Sequence, residues 1–426
     1  MNPTDPAAAF LRQLPWIRSQ FPQIESLRDG TRRIYLDNAA GTLLPRSVAD
    51  AMADAALWAN PQPGRGWPAA AQTLRFHREA RLRIREFLNA GDADPVFFSE
   101  STTSSLLKLR LALEPELESD DRFVVSDADH FANITPWEWR RRPALKLQME
   151  ADGSLDPDRL RSVLTDRVRI VALPVALNGL GAVPDLPALI RCVRAYAPRA
   201  WVVLDAVHAA PHVPIDLAAL DADALAFSTY KLFGPFAGVL WVRPSLAERL
   251  RCYAVEPHTD LETALELGTL NNVTIAGILA ALTYLESVGT RLEPAFVGAF
   301  ATLERTRRRF KIALAASQAH EAEISRRVLR GMAQMRHVEL LGERDERRVA
   351  GRVPTFGFHV ADRTDDAVES ELWARSGIQV AAGNHYAGSV LRGLGKTGAV
   401  RASFAHYNTL DETDGFLRTV ASLASE

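Results

Sequence analysis

Cysteine is scarce in this 426-residue chain, which contains only Cys192 and Cys252. The two residues lie far apart and form no Cys-x-x-Cys pair, so neither a zinc site of that kind nor a disulfide framework is expected. No other pattern in the sequence predicts a metal site. This use of cysteine is typical of a reducing compartment, and we expect a cytoplasmic location.

An excess of charge of one sign is also lacking. The chain has 50 basic and 52 acidic residues and a formal net charge of −2, so no broad field favours nucleic acid or an anionic membrane. Residues 1–16 include Asp5 and show no basic stretch followed by an apolar core, and no later run is expected to approach a membrane span. We therefore expect a soluble, unexported protein that acts on small molecules.

The chain does contain a regular alternation of short apolar runs and helical patterns. Strands are predicted at 34–36, 96–98, 123–125, 168–173, 202–204, 224–227 and 238–242. Helices are predicted between them at 45–59, 69–88, 103–113 and 184–196, and after them at 272–288. Strands separated by helices indicate an α/β fold with a large, doubly wound, mostly parallel sheet.

The pattern changes near residue 294, where a long, arginine-rich amphipathic helix is predicted to run to about residue 332. Shorter strands follow at 338–341, 354–360 and 378–380. This change predicts three units: an amino-terminal segment 1–34 that packs on the small domain, a large domain 35–290, and a smaller α+β domain 291–426.

Lys231 is the residue that most clearly indicates the chemistry of this protein. It lies between Ser228 and a Gly-Pro turn, downstream of an apolar run that ends in Asp205. A lysine that forms a Schiff base with an aldehyde cofactor must be partly desolvated and held by packed neighbours. A carboxylate at the end of a buried strand lies where open α/β sheets bind ligands, and it can keep a pyridine nitrogen protonated. Alone, the lysine would be a solvated loop residue and Asp205 a helix cap, but together they predict a site for pyridoxal 5'-phosphate (PLP).

Three further segments could complete such a site. The run 99–104 is rich in serine and threonine and precedes a predicted helix, where hydroxyls and free amides bind phosphate, although ordinary capping residues look the same. His130 follows the strand at 123–125, where its ring could stack on the cofactor and reach the α proton. Asn178 could donate to the phenolic oxygen, or it could simply form an Asn-Gly turn.

In this order, these residues resemble the class V aminotransferase family, in particular its cysteine desulfurase-like branch. The resemblance runs from about Tyr35 to Asp414. The matching segments are 35–40, 102–103, 129–133, 204–208, 228–231, 268–271 and 401–404. It implies a PLP-dependent enzyme of fold type I, with a large PLP-binding domain and a smaller carboxy-terminal domain.

The resemblance also implies roles for single residues. Lys231 would form the Schiff base, Asp205 would pair with the pyridine nitrogen, and His130 would stack on the ring. His208 would lie near the phenolic oxygen, where desulfurases usually have glutamine. The other cofactor-binding residues would be Thr102, Thr103, Asn178, Ser228, Tyr230 and Thr269. Of these, Thr103 and Ser228 would hold phosphate. Thr269 would reach the site of the partner subunit, which implies a homodimer with shared active sites. Arg401 would bind the substrate carboxylate, with Ala40 and Asn384 also in the substrate site.

The sequence departs from this branch where desulfurases carry their sulfur-accepting cysteine. Tyr386 occupies that place in the loop 381–388, and a phenol cannot accept a persulfide. Cys192 and Cys252 are expected to be apolar fillers rather than replacements. Tyr230 replaces the usual histidine before the lysine, and Ala381 replaces a loop arginine, so the choice of substrate is expected to differ as well.

We therefore expect a PLP enzyme that acts on a small amino acid through an external aldimine. Lys231, His130 and Tyr386 would be available for proton transfer, and lyase-type chemistry, with loss of a C–S or other β substituent, is favoured. A class V aminotransferase and an amino-acid epimerase share the first step and remain alternatives. The alternative of another class is a catalytically inactive PLP-fold scaffold or regulator. A phosphate-loop nucleotide hydrolase is not supported, because Val390 stands where its first glycine is required.

Overall fold

The structure is a computed structural model that describes residues 5–59, 61–139, 144–256 and 259–424. The first four residues of the predicted segment 1–34 and the last two of the predicted domain 291–426 therefore lie outside the described residues. Strands and α-helices are numbered in chain order.

A seven-stranded sheet forms the centre of the described fold, with the order β2-β8-β7-β6-β5-β3-β4. Its strands are β2 (Val96–Ser99), β3 (Arg122–Ser126), β4 (Leu145–Leu147), β5 (Val168–Pro174), β6 (Trp201–Asp205), β7 (Ala224–Ser228) and β8 (Gly238–Val242). The pairs from β7 to β4 are parallel, whereas β8 is antiparallel to both β7 and β2. The predicted mostly parallel sheet of an α/β protein is confirmed.

The predicted helices beside this sheet are present, within a few residues of their predicted limits. They are α2 (Arg46–Trp58), α3 (Pro68–Leu88), α4 (Thr102–Leu113), α7 (Leu186–Tyr196) and α10 (Asn272–Leu292); the other helices of this half are α1 (Pro6–Ser19), α5 (Thr135–Glu138), α6 (Pro157–Val163), α8 (Pro244–Ala247) and α9 (Leu261–Glu266). Capping side chains fix the residues at which two of these helices begin. Asp185 caps α7 by accepting the Ala188 amide, and Ser101 and Ser104 form a capping box at α4.

A four-stranded antiparallel sheet, ordered β12-β13-β10-β9, forms a second layer of strands. Its strands are β9 (Val338–Leu340), β10 (Thr355–Val360), β12 (Ala381–Gly383) and β13 (Ala399–Ser403), accompanied by α12 (Asp365–Ser376), α13 (Gly388–Gly393) and α14 (Leu410–Ala421). The predicted strands 338–341 and 354–360 correspond to β9 and β10. This smaller sheet has its own apolar core, separate from that of the large sheet.

The first predicted strand does not belong to the large sheet. We grouped the run 34–36 with the large parallel sheet, and this was wrong. It forms β1 (Ile34–Tyr35), which pairs with β11 (Ile378–Gln379), and Leu36 packs in the core of the small sheet. So short an apolar run identifies a strand but not its partner.

The long helix also begins later than predicted, because α11 runs from Arg305 to Met332 rather than from 294. Gly298 and Phe300 have φ angles of 79° and 53°, which an α-helix cannot accommodate. The amino-terminal half of α11, including Phe310, packs in the core of the large sheet, and the other half, including Val328, packs in the core of the small sheet. The helix thus bridges both cores, and the exact domain limits stay a prediction.

One helical stretch, Asn272–Ala295, is long and apolar enough to cross a membrane by length and composition. The expectation that no run approaches a membrane span was therefore wrong on that criterion. The stretch is more than half buried, since α10 packs against α2, α3 and α11, and core helices of soluble proteins pass the same test. The cytoplasmic location stays a prediction.

The contact between α10 and α11 depends on Gly289, where a Cβ atom would overlap the backbone of Arg309. We expect Gly289→Ala to lower the free energy of unfolding by about 1–3 kcal/mol, because two packed helices would have to separate. Gly415→Ala is the matched control in α14, since its Cβ would be 3.5 Å from Ile34 Cδ1, an ordinary contact. In this control the free energy of unfolding should rise by about 0.5–1 kcal/mol. Urea denaturation of both variants measures the difference, and equal midpoints would contradict the assigned contact.

Candidate active site

A cavity opens at one edge of the large sheet, where β3, β5, β6 and β7 end. Parallel strands bring their carboxyl ends to the same edge, so residues from distant segments meet there. The cavity is lined by Ser101, Thr102, Thr103, Asp129, His130, Ala132, Ala176, Asn178, Asp205, Val207, His208, Ser228, Tyr230 and Lys231. Most of the residues that the sequence assigned to a cofactor are therefore brought together.

Lys231 lies in a short 3₁₀ turn directly after β7 and is buried. Burial, and after it the positive charge of Arg401, lower the pKa of its amine to about 8 against the opposing effect of Asp205 and Asp37. An amine with this pKa is partly neutral near pH 7, which is the form that attacks an aldehyde. The lysine is therefore suited to form a Schiff base.

Two carboxylates are buried on the same side of the cavity. Burial raises the pKa of Asp205 to about 6, although the Val207 amide, which donates to its Oδ1 at 2.8 Å, and Lys231 act in the opposite direction. Asp129 accepts hydrogen bonds of 2.7 Å from the His130 amide and from Asn133 Nδ2. Burial and then the charge of Asp205 raise the pKa of Asp129 well above its ordinary value. Asp129 was not among the predicted site residues, although its place after β3 was a usable signal.

Hydroxyl groups cluster at the amino terminus of α4. Thr102 Oγ1 and Ser228 Oγ are 2.7 Å apart, and Thr103 is exposed in the first turn of the helix. A Cβ atom at Gly238 in β8 would overlap the backbone of Ser101 and Thr102, so glycine allows this helix start to approach the sheet. Free amides and hydroxyls at a helix amino terminus can bind an anion such as phosphate.

His130 is held as a neutral ring with a defined proton. Its Nδ1 accepts a hydrogen bond of 3.0 Å from the Ala132 amide, so the proton of the neutral imidazole lies on Nε2. Burial, Lys231 and Arg401 together lower the pKa of His130 to about 4. At neutral pH the ring can therefore donate through Nε2 while its face remains available for stacking.

The loop that carries Tyr386 lies over His130. The two ring centroids are 5.5 Å apart, and the Phe131 amide donates to Tyr386 O at 3.0 Å. His385 and Tyr386 both have positive φ angles, of 52° and 53°, which is uncommon for residues other than glycine. Tyr386 is 69% exposed and does not line the cavity, whereas Asn384 Oδ1 accepts the Tyr386 amide and shapes the loop.

Arg401 is buried in β13, next to the cavity rather than in its lining. Its Nη2 donates to Asp37 Oδ1 at 3.2 Å and its Nη1 to Asn178 O at 3.3 Å. Among the described residues, its Nε and Asn178 Oδ1 are buried without a hydrogen-bond partner. Asp37, which lies 364 positions from Arg401, was not among the predicted site residues.

Two other predicted residues lie apart from the cavity lining. Thr269 Oγ1 accepts from Gln62 Nε2 at 3.2 Å, and it lines a separate groove. Ala40 is exposed and shares a shallow neighbouring depression with Tyr230. The structure of a single chain therefore does not bring Thr269 to the cofactor residues.

Comparison with known proteins fits this geometry. The family model for aminotransferase class V matches residues 34–416. The chain belongs to this family. A probable cysteine desulfurase of Pseudomonas putida is 32% identical, covering 94% of this chain and 96% of that protein. The cysteine desulfurase CsdA of Escherichia coli is 30% identical over 95% and 96% of the two chains.

The fold is also shared with a solved structure. The apo cysteine desulfurase of Thermococcus onnurineus has a TM-score of 0.81, 24% sequence identity, and coverage of 96% of this chain and 97% of that one. This likeness shows the fold, which is that of PLP-dependent enzymes of fold type I. The predicted resemblance to class V aminotransferases is confirmed, together with dependence on PLP.

The cavity of this chain has the groups that PLP requires. Lys231 offers an amine of lowered pKa for the aldehyde, Asp205 a buried carboxylate for the pyridine nitrogen, and the start of α4 with Ser228 a set of donors for the phosphate. When bound, PLP supplies an acceptor for the electron pair released as a bond to an amino acid's Cα breaks. The chain's own residues must then position the substrate and move its protons.

The assignment of Lys231 can be tested against a second lysine of similar character. Lys311 is also buried, and burial lowers the pKa of its amine to about 8, but it contacts Ile215 O and not the cavity. After borohydride reduction of the PLP-loaded protein, we expect mass spectrometry to find the cofactor on Lys231. Lys231→Ala should lose the visible absorption band, while Lys311→Met should keep both band and label. Label on Lys311, or a band that persists in Lys231→Ala, would refute the assignment.

Proposed function

We propose that this protein is a PLP-dependent enzyme that removes the α proton and a β substituent from a small amino acid. The observation that carries the proposal is the absence of a thiol from the cavity lining in the described part of the chain. A desulfurase passes the sulfur of its substrate to a thiolate. Without that acceptor, elimination is the outcome that the remaining groups support.

The locations of both cysteines support this interpretation. Cys192 packs against the core of the large sheet, and its Sγ donates to Pro157 O at 3.4 Å. Cys252 packs against the apolar cluster on the other face. Burial raises the pKa of each thiol, which disfavours the reactive thiolate. Tyr386 occupies the loop position that carries cysteine in desulfurases.

The proposed proton movements follow from the protonation states. His130 has its proton on Nε2 and a lowered pKa, so it is suited to donate and to stack rather than to accept. The neutral amine of Lys231 is then the acceptor of the α proton at Nζ. The phenol of Tyr386, on the loop above His130, is the proposed donor to the leaving group.

The substrate would be held by its carboxylate. The charge of the Arg401 guanidinium lowers the pKa of Lys231, and its Nε lacks a partner among the described residues. A substrate carboxylate could share this arginine with Asp37 through charge-assisted hydrogen bonds. Ala40 and Asn384 are the proposed neighbours of the remaining substrate atoms.

The proposed reaction and that of a desulfurase leave different three-carbon products. For cysteine, elimination balances as cysteine plus water giving pyruvate, ammonia and hydrogen sulfide. Transfer of sulfur to an enzyme thiol instead leaves alanine and a persulfide. The ratio of pyruvate to alanine therefore distinguishes the two reactions without knowledge of the natural substrate.

We expect the PLP-loaded protein, given cysteine and other amino acids with a β leaving group, to form pyruvate and ammonia in equal amounts without alanine. Tyr386→Cys restores a thiol to the loop and should produce some alanine and a protein persulfide. Tyr386→Phe is the matched control, which should form no alanine and should lower pyruvate formation at least tenfold if the phenol donates the proton.

Other outcomes of the same assay would overturn the proposal. Alanine from the unaltered protein would indicate desulfuration by another acceptor. A 2-oxo acid that retains its β substituent would indicate an aminotransferase, and loss of chirality alone would indicate an epimerase. A protein that binds PLP but changes no amino acid in the panel would indicate a scaffold or regulator.

We also propose that two copies form a homodimer with shared sites. Thr269 belongs to the predicted cofactor residues but lines a groove away from the cavity of its own chain. The apolar side chains of Tyr253, Val255 and Leu267 line the same groove and are 74%, 78% and 49% exposed. Exposed apolar clusters of this kind are typical of surfaces that a partner covers.

Sedimentation should give a mass near twice the 46.9 kDa of one chain. Val255→Asp should shift the protein toward monomer, because it would bury a charge in the proposed interface. Val297→Asp is the matched control, since Val297 is 91% exposed outside the groove, and should leave the mass unchanged. A monomeric unaltered protein would contradict the dimer.

A further inference from the structure

His208 connects the cofactor cavity to the small sheet. Its side chain lines the cavity, and its Nε2 lies 3.0 Å from Thr355 Oγ1. His208 is 4% exposed and Thr355 is fully buried, so water does not compete for this contact. The resemblance to desulfurases predicts glutamine at position 208, and the histidine therefore raises the question of where its proton lies.

The backbone around Thr355 is held in place by several contacts. Arg352 Nη2 donates to Thr355 O at 2.6 Å and to Leu180 O at 3.2 Å, and the Thr355 amide donates to Val353 O at 2.8 Å. A Cβ atom at Gly181 would overlap Thr355 O, so glycine allows the neighbouring turn to pack directly on this strand. The Thr355 hydroxyl is thus presented to His208 by a fixed backbone.

The contact between His208 and Thr355 allows either side chain to be the donor, depending on the tautomer of His208. In the described part of the chain, His208 Nε2 is the acceptor within reach of the Thr355 hydroxyl hydrogen. If Nε2 carried the proton, the buried hydroxyl would have no acceptor, and leaving a buried donor unsatisfied is costly. When Thr355 donates, Nε2 is the acceptor and the imidazole proton must lie on Nδ1.

The surroundings of His208 keep the ring uncharged. Burial lowers its pKa well below the ordinary value, and His212, Lys231 and Arg401 act in the same direction. Glu321, a buried carboxylate next to His212, contacts His212 Nδ1 at 3.0 Å and so is engaged with the neighbouring ring. A neutral His208 carries one ring proton, on Nδ1 or on Nε2, and the contact with Thr355 favours one of these two positions.

We propose that Thr355 is a positioning residue that fixes the proton of His208 on Nδ1, so that His208 donates a hydrogen bond into the cofactor cavity. The role toward PLP rests on the proposed function and on the place beside the phenolic oxygen of the cofactor that the resemblance implies for His208. The tautomer itself does not depend on the cofactor, because both atoms of the contact belong to the chain. Because Thr355 belongs to the small sheet, the contact would also couple that sheet to the electronic state of the cofactor.

The tautomer can be determined in the folded chain without added cofactor. With histidines labelled by ¹⁵N in the ring, and His208→Gln to identify the signal, we expect a protonated Nδ1 and an unprotonated Nε2. Thr355→Ser retains the hydroxyl and should give the same pattern. Thr355→Val retains the shape but cannot donate, and it should move a measurable share of the proton to Nε2. A proton on Nε2 in the unaltered protein would overturn the proposal even if Thr355→Val failed to fold.

A second measurement uses the loaded protein. The pH at which the absorption of bound PLP changes should shift by about one unit or more in Thr355→Val and not in Thr355→Ser, because a hydrogen bond to a charged oxygen is lost. Equal shifts in both variants, or none in either, would contradict a role toward the cofactor. Failure to bind PLP at all would instead refute the proposed function, and the ¹⁵N result would then decide the tautomer alone.

Discussion

The chemistry of this protein depends on one buried amine among buried charges. Lys231 is removed from water at the edge of the sheet, where Arg401 disfavours its charge and Asp205 and Asp37 favour it. The balance leaves an amine that loses its proton near neutral pH instead of near its ordinary 10.5. A lysine on an open loop would remain protonated and unreactive, so the depth of this site is what allows it to serve a PLP enzyme.

The large sheet creates that environment by its topology. β6 delivers Asp205 and β7 delivers Lys231, each at the end of a buried strand, and α4 starts beside them because Gly238 permits the approach. The small sheet contributes Arg401 and Thr355, which contact Asn178 and His208 of the cavity lining. Since α11 packs in both cores, it provides a continuous element that joins the two halves of the site.

Much of this could be predicted from sequence for a physical reason. Lys231, Asp205 and His130 each follow an apolar run, and the carboxyl ends of parallel strands must meet, so their chain order alone indicates a common edge. The pairs Asp37 with Arg401 and His208 with Thr355 could not be found in this way, because Arg401 and Thr355 lie within strands of the small sheet, whereas their partners lie outside the named strands and far away in the chain. The start of α11 was missed because amphipathic periodicity continues through residues whose backbone angles end a helix.

Burial and neighbouring charges make Lys231 reactive near neutral pH. The most direct test is the rate at which the cofactor-free protein attaches PLP, followed by absorbance from pH 6 to pH 11, with Lys231→Ala as the blank. Since the neutral amine is the reactive form, the rate should rise with a midpoint near the pKa of about 8. A midpoint near 10.5, the ordinary value for lysine, would show that the surroundings of Lys231 do not lower its pKa.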